Sequence, residues 1–300
     1  MTTTTHTTPS RDSSPADFGT VLVLGGTGKT GRRVVAELRS RGFTTVAASR
    51  TGEVRFDWAD RSTWEPGLTG VRSVYVVDSQ GPGMGEEVRD FAALAARLGV
   101  ERLVLLSARS WPEIDATNPH LAPEREVRES GLRWTILRPT WFAENFTELE
   151  FFAPLLETGE LRLPTGSGRE PFVVLQDLVD VAVAALTEDG HAGRTYTLSG
   201  ARSLNFADAV AEIAGASGRT LRFTPVSEEE YRADVAAAGY PEEVADLLVT
   251  ILHHIRDEGG ASVTDGVRQA LGREPRDFSE YVRTTDFSAV GATEASVATA

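Results

Sequence analysis

The sequence contains no cysteine. That absence excludes disulfides, thiolate nucleophiles, iron–sulfur clusters and cysteine-ligated zinc. Lysine is nearly as scarce. Lys29 is the only one in 300 residues, so any chemistry that needs an ammonium group rests on it. No apolar run approaches the roughly 18 residues of a membrane span. The Thr/Ser-rich start, residues 1–18, lacks the apolar stretch of a secretory signal and reads as a disordered leader. A cytoplasmic protein without a membrane partner is expected. Positive charge is in deficit, with 30 Lys+Arg against 44 Asp+Glu and a net −14. A surface that acidic repels nucleic acid.

What is present suits a globular fold. Hydrophobic residues make up 41% and charged residues 25%, enough to bury a sizeable core. Short apolar runs at Thr20–Leu24, Phe43–Ala48, Ser73–Val77, Leu103–Leu106 and Trp134–Leu137 alternate with helical patterns at Lys29–Arg41, Glu87–Leu98 and Glu124–Glu129. That alternation predicts βαβ units in a doubly wound, parallel α/β sheet of Rossmann type over residues 19–145. Beyond about residue 145 the rhythm loosens at Pro154, Pro164 and the Gly-rich 165–168. Helices are predicted at Asp177–Leu186, Phe206–Ala214 and across the acidic Glu228–Ile255, with a strand at Arg194–Leu198. Residues 146–287 therefore read as a smaller α/β lobe that carries the substrate. The Ala/Ser/Thr-rich 288–300 read as a disordered tail.

The chemistry begins at Gly25-Gly26-Thr27-Gly28-Lys29-Thr30-Gly31, between the first predicted strand and helix. Glycines there let the backbone approach a pyrophosphate, and the helix start offers N–H groups and the positive end of its dipole. Gly25, Thr27, Gly28, Lys29, Thr30 and Gly31 are thus candidate dinucleotide contacts. An NAD-binding fold usually ends its second strand with a carboxylate for the ribose 2′-hydroxyl. Here that strand ends Ala47-Ala48-Ser49-Arg50. Arg50 suits a 2′-phosphate, and Lys29 and Arg32 add positive charge, so NADP(H) is the expected cofactor. Asp57 is either an adenine contact or a turn aspartate.

Several segments together resemble the NmrA-like, atypical branch of the short-chain dehydrogenase/reductases, and within it the group of ergot-alkaloid reductases such as festuclavine and agroclavine dehydrogenases. They are Gly25–Arg33, Ser130–Phe142 (SGLRWTILRPTWF), Pro171–Asp180, Leu186–Tyr196 and Leu271–Phe278. The resemblance spans about residues 20–285. It implies that Ser79 and Ser107 flank the nicotinamide ribose and that Pro139 and Thr140 border its carboxamide. It also implies that Trp141, Phe142, Asn145 and Phe146 wall the substrate pocket. For Phe142 and Phe146 ordinary core packing is the alternative.

One departure matters. Ordinary members of the superfamily place a tyrosine four residues before a lysine. This chain has no such pair, because Lys29 precedes all five tyrosines. Counting back from Ser130, the lysine position falls near His120 and the tyrosine position near Ala116. Tyrosine-assisted carbonyl reduction and sugar epimerisation are disfavoured. His120 becomes the candidate catalytic group, since imidazole titrates near neutrality and suits a proton donor or a ribose contact; a structural role at a helix start is the alternative. His253 and His254 are neighbours, so on a helix they diverge by about 100° and cannot chelate together. No metal site is expected. The resulting expectation is an NADPH-dependent reductase whose small aromatic or conjugated substrate is an electron-poor iminium, quinone or enone. A non-catalytic redox sensor and a non-redox cyclase or isomerase are the alternatives.

Overall fold

The computed structural model describes residues 18–148 and 152–287. The predicted leader and tail lie outside those residues, Phe18 apart.

The first six strands are β1 (Thr20–Leu24), β2 (Thr45–Ser49), β3 (Val54–Arg55), β4 (Val71–Val76), β5 (Arg102–Leu106) and β6 (Arg133–Pro139). After them come β7 (Glu160–Leu163), β8 (Arg169–Glu170), β9 (Arg194–Leu198), β10 (Leu204–Asn205) and β11 (Arg222–Pro225). The helices α1 (Gly31–Ser40), α2 (Trp64–Leu68), α3 (Met84–Arg97), α4 (Ser110–Ile114) and α5 (Ala122–Glu129) fall among the first six strands. The later helices are α6 (Asn145–Glu148), α7 (Ala153–Thr158), α8 (Leu175–Thr187), α9 (Phe206–Ser217), α10 (Glu228–Ala237), α11 (Glu242–Arg256), α12 (Gly266–Leu271) and α13 (Phe278–Thr284).

Strands β1 to β6 and β9 form one parallel sheet in the order β3-β2-β1-β4-β5-β6-β9. This is the doubly wound arrangement, and its order reverses between β1 and β4. Both faces are covered, which is why the strands read as continuous apolar runs. Along β1, Val21 and Val23 point into one core while Leu22 and Leu24 point into the other, as the two-residue period of a strand requires. The first core takes Val34 and Leu38 of α1 and eight of the thirteen residues of α8; the second takes Trp64 of α2, Phe91 of α3 and Val127 of α5. Ten of the thirteen residues of α8 are buried, so it is a core helix rather than an amphipathic surface one.

The chain beyond residue 145 contributes β9 and α8 to the sheet layer and also builds a separate lobe. Two short pairs, β7 with β11 and β8 with β10, frame that lobe. Its core is a cluster of phenylalanine rings, Phe146, Phe152, Phe172, Phe206 and Phe278, with neighbouring centroids 5.2–6.0 Å apart. The acidic 228–255 stretch is two helices, because Gly239 at φ +88° and Pro241 interrupt it. The lobe is fastened to the sheet by ions. Asp177 of α8 is fully buried and accepts the Arg276 N–H at 2.7 Å, with the Arg273 and Arg276 guanidinium groups at 2.7 and 2.5 Å. The Leu271–Phe278 motif is thus a clasp.

Candidate functional site

The glycine loop connects β1 to α1 under close steric limits. A Cβ on Gly26 would lie 2.8 Å from Ala47 Cα, and one on Gly31 would lie 2.1 Å from the Gly25 carbonyl oxygen. Gly25 itself has φ +64°. No side chain caps α1; the Arg32 and Arg33 N–H groups bond back to the Gly28 and Thr30 carbonyls, and the positive dipole end of the helix points at the loop. These are the requirements of a phosphate cradle. Thr27 Oγ1 donates to Ser49 Oγ at 3.0 Å, which brings the loop tip beside the end of β2 and therefore beside Arg50. Arg32 pairs instead with Glu148 at 2.5 Å, and Arg33 joins it, tying α1 to α6. Asp57 sits in a turn, its Oδ1 accepting the Ala59 N–H at 3.1 Å.

Lys29 turns inward. Its Nζ donates to Asn145 Oδ1 at 2.8 Å. Burial pulls its ammonium down to about 8, while Glu148 and Glu144 act in the opposite direction. Lys29 and Asn145 stand at one end of a cleft of about 780 Å³ that runs over the carboxyl ends of β4, β5 and β6. Ligands of open α/β sheets bind at that edge, next to the point where strand order reverses.

Most of the expected site residues border this cleft, and some do not. Ser107, His120, Pro139, Trp141, Phe142 and Asn145 line it. The Ser107 hydroxyl donates to Glu124 Oε1 at 2.6 Å. The Ser79 hydroxyl is engaged by Glu87 of α3, and its neighbours Asp78 and Gln80 border the cleft. Gln80 holds φ +57°, a left-handed conformation uncommon outside glycine that clusters at functional loops. Burial raises the Asp78 carboxyl above its ordinary range. His120 stacks on Trp111, ring centroids 4.4 Å apart. Phe146 is 1% exposed and belongs to the lobe's ring cluster, the packing alternative.

Four groups that pattern reading passed over complete the far end of the cleft: Arg109, Glu113, Glu170 and His254. Arg109 Nε donates to Glu113 Oε1 at 2.8 Å, and His254 Nε2 lies 3.3 Å from Glu113 Oε2. His253 turns the other way, 3.6 Å from Glu228, as adjacent helix positions must. Glu170 Oε1 accepts the Trp141 N–H at 3.1 Å. Burial pushes the Glu170 carboxyl up to about 7, against the lowering effects of the Trp141 N–H and Arg109. Among the described residues no cluster of His, Cys, Asp and Glu could hold a metal ion, and no helix is long and apolar enough to cross a membrane.

The comparisons agree with this geometry. Residues 25–189 match the model of the NAD(P)H-binding family, and the chain belongs to it, in the NmrA-like, atypical short-chain dehydrogenase/reductase branch. It is 33% identical over 275 residues to a (4-alkanoyl-5-oxo-2,5-dihydrofuran-3-yl)methyl phosphate reductase of Streptomyces griseus, covering 87% of this chain and 96% of that protein. Festuclavine synthase I of Penicillium roqueforti is 27% identical over 280 residues, covering 87% and 96%. Among solved structures, the NADPH complex of a quinone oxidoreductase from Escherichia coli superimposes with a TM-score of 0.71 at 21% identity, covering 87% of this chain and 98% of that one.

Proposed function

We propose that the protein is an NADPH-dependent reductase that delivers hydride to a flat, electron-poor acceptor, an iminium, quinone or conjugated enone, held in the cleft over β4–β6. One observation carries this reading: a single cleft is lined both by Lys29 of the glycine loop and by the apolar side chains of Trp111, Trp141 and Ile251. The named relatives support it, since each is a reductase or a synthase of small organic molecules by its name. The greater identity to the furanone phosphate reductase leaves the ergot-alkaloid group as one relative among several.

The glycine loop fits a dinucleotide, because Gly26 and Gly31 allow its close packing on β1, β2 and α1, and a Cβ built on Gly28 would meet only the Gly25 carbonyl oxygen within 4 Å, which leaves room for a pyrophosphate. When bound, the nicotinamide supplies the hydride. The chain's own residues position the reactants. The loop and α1 take the phosphates, Arg50 faces the 2′-phosphate, and Lys29 is held by Asn145 where the loop meets the cleft. The indole faces of Trp111 and Trp141 that are not covered by His120 and Phe152 offer stacking surfaces to a planar acceptor and displace water from it. Holding donor and acceptor about 3–3.5 Å apart supplies much of the rate when the acceptor carbon is already electron-poor. The open, apolar-walled cleft favours turnover over a sensor, whose pocket would be filled.

Arg50→Ala is expected to weaken NADPH binding by about 2 kcal/mol, the scale of a charge-assisted hydrogen bond, with little change for NADH. Titration calorimetry checks this, and equal affinity of the unmutated protein for both cofactors would overturn the NADPH assignment.

Lys29 adds a pH signature. With its ammonium pulled down to about 8, part of the population is neutral at that pH. Phosphates arriving beside it favour the charged form, so binding takes up a proton and affinity falls as pH rises through 8. Calorimetry of NADPH binding in two buffers of different ionisation enthalpy should show proton uptake at that pH and none from Lys29 near pH 6. Lys29→Met should abolish the uptake. Uptake that persists in the variant would assign it to another group.

Oxidation of NADPH by purified protein, followed with iminium dyes, quinones and enones, tests the reading as a whole. Consumption with at least one class is expected; consumption with none would remove it.

A further inference from the structure

The far end of the cleft holds a carboxyl group that the positioning account above leaves without a task. Glu170 lies on β8, a two-residue strand fixed by pairing with β10, and is 3% exposed. Its Oε1 is anchored by the N–H of Trp141, two residues past Pro139 at the carboxyl end of β6. Its Oε2 is directed toward Gly260, and both residues line the cleft. Three polar atoms converge there. A methyl group built on Gly260 would stand 3.3 Å from Glu170 Oε2, 3.5 Å from His254 Nε2 and 3.7 Å from Glu113 Oε2.

The other candidates for proton donation are less well placed. Asp78 Oδ1 is held by the Gln80 N–H at 2.8 Å, His254 Nε2 faces Glu113, and His120 lies flat on Trp111. Arg109 is committed to Glu113 and to Ser262.

We infer that Glu170 is the proton donor of this site and that the acceptor it serves is a conjugated carbonyl compound, an enone or quinone, rather than an iminium. The inference rests on the reductase reading. An iminium carbon that takes up hydride becomes a neutral amine and needs no proton. A conjugated carbonyl that takes up hydride at its β-carbon shifts the C=C pair toward oxygen and becomes an enolate. The O–H bond of Glu170 then breaks, its proton joins the enolate, and the carboxylate regains a proton from water through the cleft. A quinone is protonated at oxygen in the same way. The charges and titratable groups around Glu170 are Arg109, which directly precedes α4, and Glu113 within α4, Glu113 opposing and Arg109 favouring ionisation, with His254 of α11 across Gly260. Burial dominates and keeps the carboxyl protonated up to about pH 7.

Glu170→Gln keeps the shape and the acceptor for the Trp141 N–H but removes the acid. With full-length protein and NADPH, the ratio of single-turnover rates on an enone and on a preformed iminium dye should fall by roughly 10²–10⁴-fold, the scale of general acid catalysis. Infrared difference titration of the cofactor-free protein supplies a second readout. The wild type should show a protonated-carboxyl band that disappears near pH 7, and the variant should lack it. An unchanged rate ratio, or the same band in the variant, overturns the proposal. Wild-type protein that reduces the iminium dye but neither the enone nor a quinone also overturns it while leaving the reductase reading in place. If no acceptor oxidises NADPH, the reductase reading itself falls and this assignment with it.

Discussion

Gly28→Val is expected to give a protein that melts cooperatively, as the wild type does, and no longer responds to NADPH. Three of the loop's four glycines, Gly26, Gly28 and Gly31, differ in what a side chain would meet. At Gly26 and Gly31 a Cβ would lie within 2.8 and 2.1 Å of backbone atoms, so substitution there disturbs the packing of β1 against α1. At Gly28 the nearest atom is the Gly25 carbonyl oxygen at 3.2 Å and nothing else lies within 4 Å. Its φ is not in the left-handed region either. A valine there asks the Gly25 carbonyl to give by a few tenths of an ångström, far less than at Gly26 or Gly31, and projects into the space the pyrophosphate needs. Thermal denaturation with and without saturating NADPH checks this. A retained ligand-induced shift in the variant would place the phosphates elsewhere.

The largest effect on stability is expected at Glu124. This residue of α5 is fully buried and accepts hydrogen bonds from Ser107 at 2.6 Å, Arg128 at 2.7 Å and Arg138 at 2.8 and 2.6 Å. Burial alone would push its carboxyl up, but the bonds from Arg138, Ser107 and Arg128 outweigh that and hold it below its ordinary range. Glu124→Ala strands the Arg138 guanidinium over the second core, and breaking a buried pair costs about 3–5 kcal/mol. The more exposed Arg128 adds little, because solvent screens it. Denaturant unfolding at pH 7 should show the loss. The folded-state carboxyl is held low, so its contribution is present above its ordinary value of 4.5 and lost as pH falls through its folded value. The gap between wild type and variant should therefore narrow in acid. A gap that is constant with pH would mean that the cavity, and not the ion pair, sets the cost. Ser107 loses its anchor in the same variant, so the cleft wall it belongs to loosens too.

The parts of the molecule that could be read in the sequence are those written locally. The run Thr20–Leu24 followed by seven residues rich in glycine states its own strand, loop and helix, because each rests on neighbours a few positions away. The Rossmann-type sheet follows from the same alternation repeated. Residues whose roles depend on distant partners were not legible. Arg32 looks like a phosphate contact beside the loop, yet Glu148 takes it from across the lobe. The Arg276 that closes the clasp on Asp177 is 99 positions away from it. Trp141 and Phe146 lie five residues apart in one aromatic-rich segment, but the first faces the cleft and the second a ring cluster assembled from four other segments. Glu170 carried the weakest local signal of all, a glutamate in a glycine- and proline-flanked stretch. It becomes a site residue only because a two-residue strand pairs with β10 and α11 covers it.

The central proposal, that the chain delivers hydride from NADPH to a small acceptor bound over β4–β6, is tested most directly by isotope transfer. Purified protein is incubated with NADPH carrying deuterium at both hydrogens of the reactive nicotinamide carbon, together with a conjugated carbonyl acceptor, and the product is weighed by mass spectrometry. The expected result is one deuterium on the acceptor carbon for each NADPH oxidised, with no label recovered in water. Product that carries no deuterium, or NADPH that stays bound and unoxidised with every class of acceptor, would contradict it.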